Sequence, residues 1–178
     1  MITRLNTGVI NGLIFQVTWF STIFLASQER ANLAAIPGVI FTLLLFAQSR
    51  LGQTVKLLIK WCLIGLVLGY FCEQSLINLS VFIPLEDSAL GVPFWLLSLW
   101  GALFSLISQS MSWVLKKPFI AISFGTLGAP LSYLSGAHLG AMNLGESELI
   151  VGLYTGGAWA IAMGVSSYLW RLDESKRD

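Results

Sequence analysis

Six long apolar segments limit how this chain can fold. They span residues 8–27, 31–49, 55–76, 93–115, 118–139 and 149–170, close to the ~20 residues that cross a bilayer as a helix. Only 11% of the 178 residues are charged, whereas a soluble domain carries about 25%. The sequence therefore predicts an all-α protein with one domain over residues 1–178, a bundle of six transmembrane helices. The first segment lacks a small-x-small cleavage pattern near Ser27, which predicts a retained helix.

The basic residues indicate how the bundle is oriented. Six crossings place both termini on one side, and that side also receives nine of the ten Lys and Arg residues. Basic loops stay in the cytoplasm, so both termini are predicted to be cytoplasmic. A net charge of +1 gives no field that would attract nucleic acid. The nine residues are Arg4, Arg50, Lys56, Lys60, Lys116, Lys117, Arg171, Lys176 and Arg177, and Arg30 alone lies opposite.

Stripes of small residues predict which helices pack closely. In the fifth and sixth segments Gly, Ser and Ala recur every four positions, on one slowly drifting face of a helix. Such faces let helix backbones approach each other in lipid, so these two segments are predicted to pack together, within the chain or between copies. The stripes are Gly128, Ser132, Gly136 and Gly140 in the fifth segment, and Gly152, Gly156, Ala160 and Gly164 in the sixth.

Several polar groups are predicted to lie inside the apolar segments. Asn11 and Gln16 belong to the first segment, and Ser105 belongs to a serine seam in the fourth. Pro130 removes the backbone hydrogen bond to the carbonyl of Thr126. These groups either join helices by hydrogen bonds or line the polar path of a small transporter or channel. Trp19, Trp100 and Trp159, which are also deep in their segments, are predicted to be packing residues.

The ionisable residues near one end of the bundle are weak candidates for chemistry. His138 is the only histidine, so no multi-histidine metal site exists within one chain. With Glu73 and Glu146 it either handles protons or binds a cation, or these side chains only touch water and lipid headgroups. Glu73 is expected in the last turn of the third helix, where water reaches a carboxylate cheaply. No cofactor, metal or catalytic set is predicted, and whether the protein is an enzyme stays open.

Two features of organisation concern the middle of the chain. Pro37 and Pro130 occupy corresponding helices of two three-helix halves, as in an inverted repeat. The two prolines lie at different depths in their helices, however, and no sequence similarity between the two halves supports such a repeat. The longest connection, Ile77–Val92, is moderately apolar. It is predicted either to lie flat on the membrane or to fold back over the bundle.

The fifth segment resembles a bacterial protein family whose function is unknown. The sequence LGAPLSY at residues 127–133, followed by Gly136 and Gly140, is similar to that of small bacterial inner-membrane proteins that contain a domain of unknown function. The resemblance implies a multi-pass protein of the bacterial inner membrane in contact with lipids. It also implies a role near cyclopropane-type lipid modification or the response to oxidative stress, because genes for similar proteins lie near genes of these systems. It implies no catalytic residues.

Three functions follow as hypotheses from the sequence. The first is a non-enzymatic accessory or scaffold for lipid-modifying enzymes, which binds other membrane proteins or itself. The second is a small transporter or channel with a path near Gln16 and Pro130. The third is a membrane enzyme that acts on lipid at the outer face, which requires Glu73 and His138 within about 4 Å of each other or bridged by one water.

Overall fold

The computed structural model describes residues 2–49, 53–86 and 88–175 of the chain. Arg50, Asp87, Lys176, Arg177 and Asp178 lie outside these ranges. Two short strands, β1 (Phe82–Pro84) and β2 (Met142–Leu144), follow the fourth and seventh helices. The helices are α1 (Ile2–Ser27), α2 (Ala31–Ala34), α3 (Ile36–Gln48), α4 (Gln53–Asn78), α5 (Phe94–Ser110), α6 (Ser112–Lys116), α7 (Pro118–His138) and α8 (Glu148–Glu174).

The predicted all-α class is confirmed, and the long helices are those of a membrane protein. In the described residues α1, α4, α7 and α8 are long and apolar enough to cross a bilayer. The second and fourth predicted segments are each interrupted. Ala35 separates α2 from α3, with Pro37 in the first turn of α3, where its missing N–H costs nothing. Met111 separates α5 from α6.

Polar contacts define two ends of the bundle. At one, here called the lysine end, Lys60 Nζ lies 2.5 Å from Asp173 Oδ2, and Lys116 Nζ lies 2.8 Å from Glu174 Oε1. At the other, here called the strand end, β1 pairs with β2. The connections after α4 and α7 therefore lie at the same end, so these two helices run in the same direction.

Asn11 ties three helices together toward the lysine end. Its side-chain amide donates to Gln48 Oε1 at 3.1 Å and to Ser110 Oγ at 3.0 Å. Gln48 ends α3 and Ser110 ends α5, so Asn11 joins α1 to the last turns of both. Because Asn11 is buried, these bonds satisfy an amide that would otherwise be costly in lipid.

The second and third helical hairpins are two copies of one unit. In α4–β1–α5 and α7–β2–α8, the first helix ends in the same way. Val81 N donates to Leu76 O and Ala141 N donates to Gly136 O, each at 2.9 Å. The residues before them, Ser80 and Gly140, have positive φ of 54° and 83°, as a left-handed helix cap requires. Equivalent residues of the two helices are therefore sixty positions apart.

The strand pairing and the packing of each hairpin obey the same equivalence. Ile83 lies opposite Asn143, sixty positions later, and its neighbours pair reciprocally, Phe82 with Leu144 and Pro84 with Met142. This reciprocity is that of an approximate two-fold axis between β1 and β2. A Cβ built on Gly65 would lie 2.8 Å from Trp100 O, and one built on Gly125 would lie 2.6 Å from Trp159 O.

This repeat was not predicted from the sequence. The unit has two helices, and both copies run in the same direction, whereas an inverted repeat of three helices was considered. The connection Ile77–Val92 folds back over the bundle, since Val81 and Phe82 are each 1% exposed. The folded-back connection contains β1, which pairs with β2 of the other copy.

Helices α7 and α8 pack together through a different face of α7 from the predicted one. On α8, Gly156 lies against α7, since an added Cβ would be 2.9 Å from Thr126 O. An added Cβ on Gly128 would meet nothing within 4 Å, and Ser132 is exposed. The face of α7 that packs contains Gly125 and Ala129, which are buried.

The remaining small residues of the two stripes take part in looser contacts. An added Cβ would lie 3.7 Å from Pro130 Cβ at Gly152 and 3.6 Å from Ile122 Cγ1 at Gly164. At Gly136 it would lie 3.5 Å from Ile23 Cδ1, so Gly136 faces α1. The predicted packing face of α7 is therefore corrected. Small residues recur every four positions on more than one face of this helix, and the contacts with α8 involve the face that starts at Gly125.

Candidate functional site

A buried carboxylate lies where α4, α5 and α7 meet. Glu73 is 0% exposed, so the expectation that water reaches it at a helix end is wrong. The indole Nε1 of Trp100 donates to Glu73 Oε1 at 2.6 Å, and the Tyr133 hydroxyl donates to the same oxygen. The second oxygen, Oε2, is buried without a hydrogen-bond partner in the part of the chain that the structure describes.

The site lies on the approximate two-fold axis. Glu73 and Tyr133 are equivalent positions of the first helices. Trp100 and Trp159, fifty-nine positions apart, are equivalent in the second helices, because their carbonyl oxygens lie against the equivalent glycines Gly65 and Gly125. Trp159 Nε1 lies 3.5 Å from Tyr133 Oη, to which it donates. The two indoles stack across the axis with ring centroids 4.0 Å apart. Each hairpin thus supplies one indole and one oxygen-bearing side chain. Of the two oxygen-bearing side chains, only Glu73 is a carboxylic acid.

Local sequence explains how the indole reaches the carboxylate. Gly69 precedes Glu73 by four residues, so both lie on the same face of α4. A Cβ built on Gly69 would lie 2.5 Å from Trp100 Cγ, which means that only glycine leaves room for this ring beside α4. Gly69 therefore lets the Trp100 ring of α5 pack against α4 one turn before Glu73.

A cavity of about 90 Å³ adjoins the carboxylate. Glu73, Ser132 and Tyr133 are its polar side chains, and the other lining residues are aromatic or aliphatic. Helix α1 forms one wall. The complete lining is Phe15, Trp19, Ile23, Glu73, Trp95, Leu96, Leu99, Trp100, Leu103, Ser132, Tyr133, Met142 and Trp159.

A groove between α1 and α7 adjoins this cavity. It has a volume of about 240 Å³ and shares Phe15, Trp19 and Ser132 with the cavity. Helix α1 packs mainly on α3 and α5 and has few close contacts with α7, which leaves the groove between them. Gln16, predicted to lie inside the first helix, is exposed and lines this groove, together with Phe20, Leu131 and Ser135.

The structure separates Glu73 from the other predicted ionisable residues. His138 Nε2 lies 2.8 Å from Glu148 Oε1 at the strand end, and both side chains are exposed. Glu146 is also exposed. Glu73, in contrast, is buried between Trp100 and Tyr133. In the described ranges no group of three or more His, Cys, Asp or Glu side chains is placed to hold a metal ion.

The candidates for a polar path lie mostly in helix contacts. Ser105 is buried and donates to Gly101 O at 2.7 Å within α5. The Thr126 carbonyl and Pro130 lie against Gly156 of α8. Gln16, in contrast, lines the groove, which places an accessible polar region between α1 and α7.

Sequence reasoning identified Glu73 but not its partners. Trp100 and Trp159 were predicted to be packing residues, and Tyr133 entered only as part of the motif in the fifth segment. A signal was present in the chain. Glu73 and Tyr133 each precede a leucine by six residues and a glutamate by thirteen, at Leu79 and Glu86 and at Leu139 and Glu146.

Comparisons with known proteins agree with this picture of a chain whose function is not established. Neither the curated proteins nor the solved structures contain a match to the chain. A family model described as "Protein of unknown function (DUF2878)" matches residues 8–165, which include the whole of the Glu73 site. The predicted membership of an uncharacterised family is confirmed. The chain belongs to the DUF2878 family of proteins of unknown function.

Proposed function

We propose that this membrane protein binds a small amphipathic molecule at Glu73 and receives it from the bilayer. One observation carries the proposal: Glu73 Oε2 is buried beside a cavity and has no partner among the described residues. An unpartnered buried acceptor costs about 1–3 kcal/mol. Ionisable residues inside membrane spans are accordingly rare and mark functional sites.

The shape of the site supports an amphipathic ligand. Its polar group would occupy the cavity beside Glu73, while its apolar part would lie in the groove between α1 and α7. The groove is lined at one edge by Phe20 and Leu131, which are exposed where lipid would surround the bundle. A ligand dissolved in the bilayer would then reach Glu73 without crossing water.

The three hypotheses drawn from the sequence differ in how well they fit this site. An outer-face enzyme that uses Glu73 with His138 loses its support, because the two side chains have separate partners. A transporter remains compatible, since binding at Glu73 would be its first step. A role as an accessory to lipid-modifying enzymes draws its support from the family resemblance and from the groove, whose ligand would be a lipid or a lipid product.

Saturable binding and its loss on plugging the cavity would test the proposal. Purified protein in nanodiscs would be titrated with n-octanol and with n-octylammonium, with the fluorescence of the tryptophans beside the cavity as the signal. Ser132→Phe is expected to weaken the binding of either probe by about tenfold or more. Ser132 lines both the cavity and the groove, so the added ring would occupy space that the probe needs. Ser123→Phe, on the same helix but outside both, is the control.

The outcomes of this titration are distinct. Saturation in the parent protein and in Ser123→Phe, with loss in Ser132→Phe, would support binding at Glu73. A signal that rises linearly with the mole fraction of both probes in lipid would reflect partitioning alone and would overturn the proposal.

We also propose that the chain crosses the bacterial inner membrane six times with both termini in the cytoplasm. The charge asymmetry supports this arrangement, and so does the alternation of helices between the strand end and the lysine end. Reporter fusions at Asp87 and Asp178 are expected to report the outside and the cytoplasm, respectively. A cytoplasmic signal at Asp87 would contradict the arrangement.

A further inference from the structure

We infer that the molecule bound at Glu73 carries a small ammonium group with at least one N–H bond. This inference rests on the proposed binding function and names the chemical class of its ligand. Four properties of the site support it: the kind of hydrogen bond that Glu73 still lacks, the absence of a countercharge among the described residues, the aromatic walls, and the size of the cavity.

The hydrogen-bonding state of the carboxylate determines what the ligand must supply. Oε1 already accepts from the Trp100 indole and the Tyr133 hydroxyl. Oε2 is free to accept, and in the ionised form of Glu73, which a bound cation would stabilise, the carboxylate has no hydrogen to donate. A ligand of the ionised form must therefore place a donor beside Oε2. Carbonyl, ether and ester oxygens, which are only acceptors, do not meet this requirement.

Charge narrows the class of donor further. Among the side chains that the structure describes, no Lys, Arg or His forms an ion pair with Glu73. A buried carboxylate is strongly stabilised by a cation at hydrogen-bond distance, because attraction between charges grows as the dielectric falls. An ammonium group supplies both the donor and the charge, whereas a hydroxyl supplies only the donor.

The walls of the cavity suit a cation. Aromatic side chains make up six of the thirteen lining residues, and four of these are tryptophans. Cations bind the faces of aromatic rings, most strongly those of tryptophan, with a gain of about 0.5–2 kcal/mol. A neutral apolar ligand of the same size would gain from burial alone and would leave Oε2 unpaired.

Size limits the ammonium group to a few atoms. A cavity of about 150 Å³ holds benzene in an engineered protein, and the cavity beside Glu73 measures about 90 Å³. A primary ammonium and the first carbons of its chain fit this space. The remainder of an alkyl chain would extend past Ser132 into the groove between α1 and α7.

The test compares three probes that share one alkyl chain. Wild-type protein in nanodiscs would be titrated with n-octylammonium, n-octyltrimethylammonium and n-octanol, and affinities would be expressed per mole fraction in lipid. Octylammonium is expected to bind at least about tenfold more tightly than octanol, with the trimethyl compound between them, because it has the charge but no N–H bond. Glu73→Gln is expected to reduce the preference for octylammonium over octanol to less than about threefold.

Failure of this inference differs from failure of the proposed function. Equal, saturable binding of octanol and octylammonium that Ser132→Phe removes would leave the binding site in place and overturn the ammonium assignment. So would a preference for octylammonium that persists in Glu73→Gln, since anionic lipid alone can attract the cation. His138→Gln, which changes an exposed ionisable residue at the strand end, is the control and is expected to keep the preference.

Discussion

Gly125→Ala is expected to destabilise the bundle by about 1–3 kcal/mol, the usual cost of overpacking a core. The added Cβ would lie 2.6 Å from Trp159 O, a backbone atom of α8 that cannot rotate away. Helices α7 and α8 would have to separate by several tenths of an ångström along the most extensive helix contact of the fold. Thermal unfolding in detergent should show a lower midpoint and a smaller monodisperse fraction.

Gly128→Ala is the matched control, on the same helix and one turn away. Its Cβ would meet nothing within 4 Å, so the substitution is expected to leave the midpoint unchanged or to raise it through better helix propensity, by up to about 1 kcal/mol. Equal destabilisation by the two variants would show that α7 packs through the face with Gly128 after all.

Tyr133→Phe is expected to lower the free energy of unfolding by about 1–3 kcal/mol, the range for a lost hydrogen bond to a carboxylate. The change removes a donor to Glu73 Oε1 and an acceptor for Trp159 Nε1, while the ring keeps its packing. Unfolding in detergent measures the loss. Tyr168→Phe on the exposed side of α8 removes a hydroxyl outside the site and should change little.

A double variant would show that this loss comes through Glu73. Glu73→Leu removes the buried carboxylate together with its need for donors, so the cost of Tyr133→Phe should be much smaller when it is added to Glu73→Leu than when it is made in the wild-type chain. Interacting residues depart from additivity by about 0.5–3 kcal/mol. If the cost of Tyr133→Phe is the same in both backgrounds, the hydroxyl stabilises the fold by another contact.

Hydrophobic pattern and charge predicted the helices because both are local properties of a segment. Each predicted segment overlaps one or two observed helices, and Pro37 marks the interruption in the second. The strands β1 and β2 were missed because three residues each are too few to show a period. They exist only through their mutual pairing, which joins positions 58 to 62 residues apart.

The site was harder to predict than the fold, for the same reason. Glu73 was judged by its distance from a helix end, which would place it in water if α4 stood alone. The hairpins α4–β1–α5 and α7–β2–α8 instead enclose it, since Trp100 and Tyr133 approach from other helices. Which face of α7 turns inward depends on the bulk of its neighbours, and a four-residue spacing of small residues does not encode that choice.

The strand pair has a mechanical consequence for the bundle. Glu73 and Tyr133 each lie five residues, or about 7.5 Å, before the last residues of their helices, Asn78 and His138. Both helices then lead directly into the paired strands. If α4 and α7 tilted relative to each other, the paired strands would act as the pivot. The displacement of helix atoms would then be small at Glu73 and would increase toward the lysine end. Such a tilt would have to break the contact between Lys60 and Asp173, which joins α4 to α8 at the lysine end, before it changed the surroundings of Glu73.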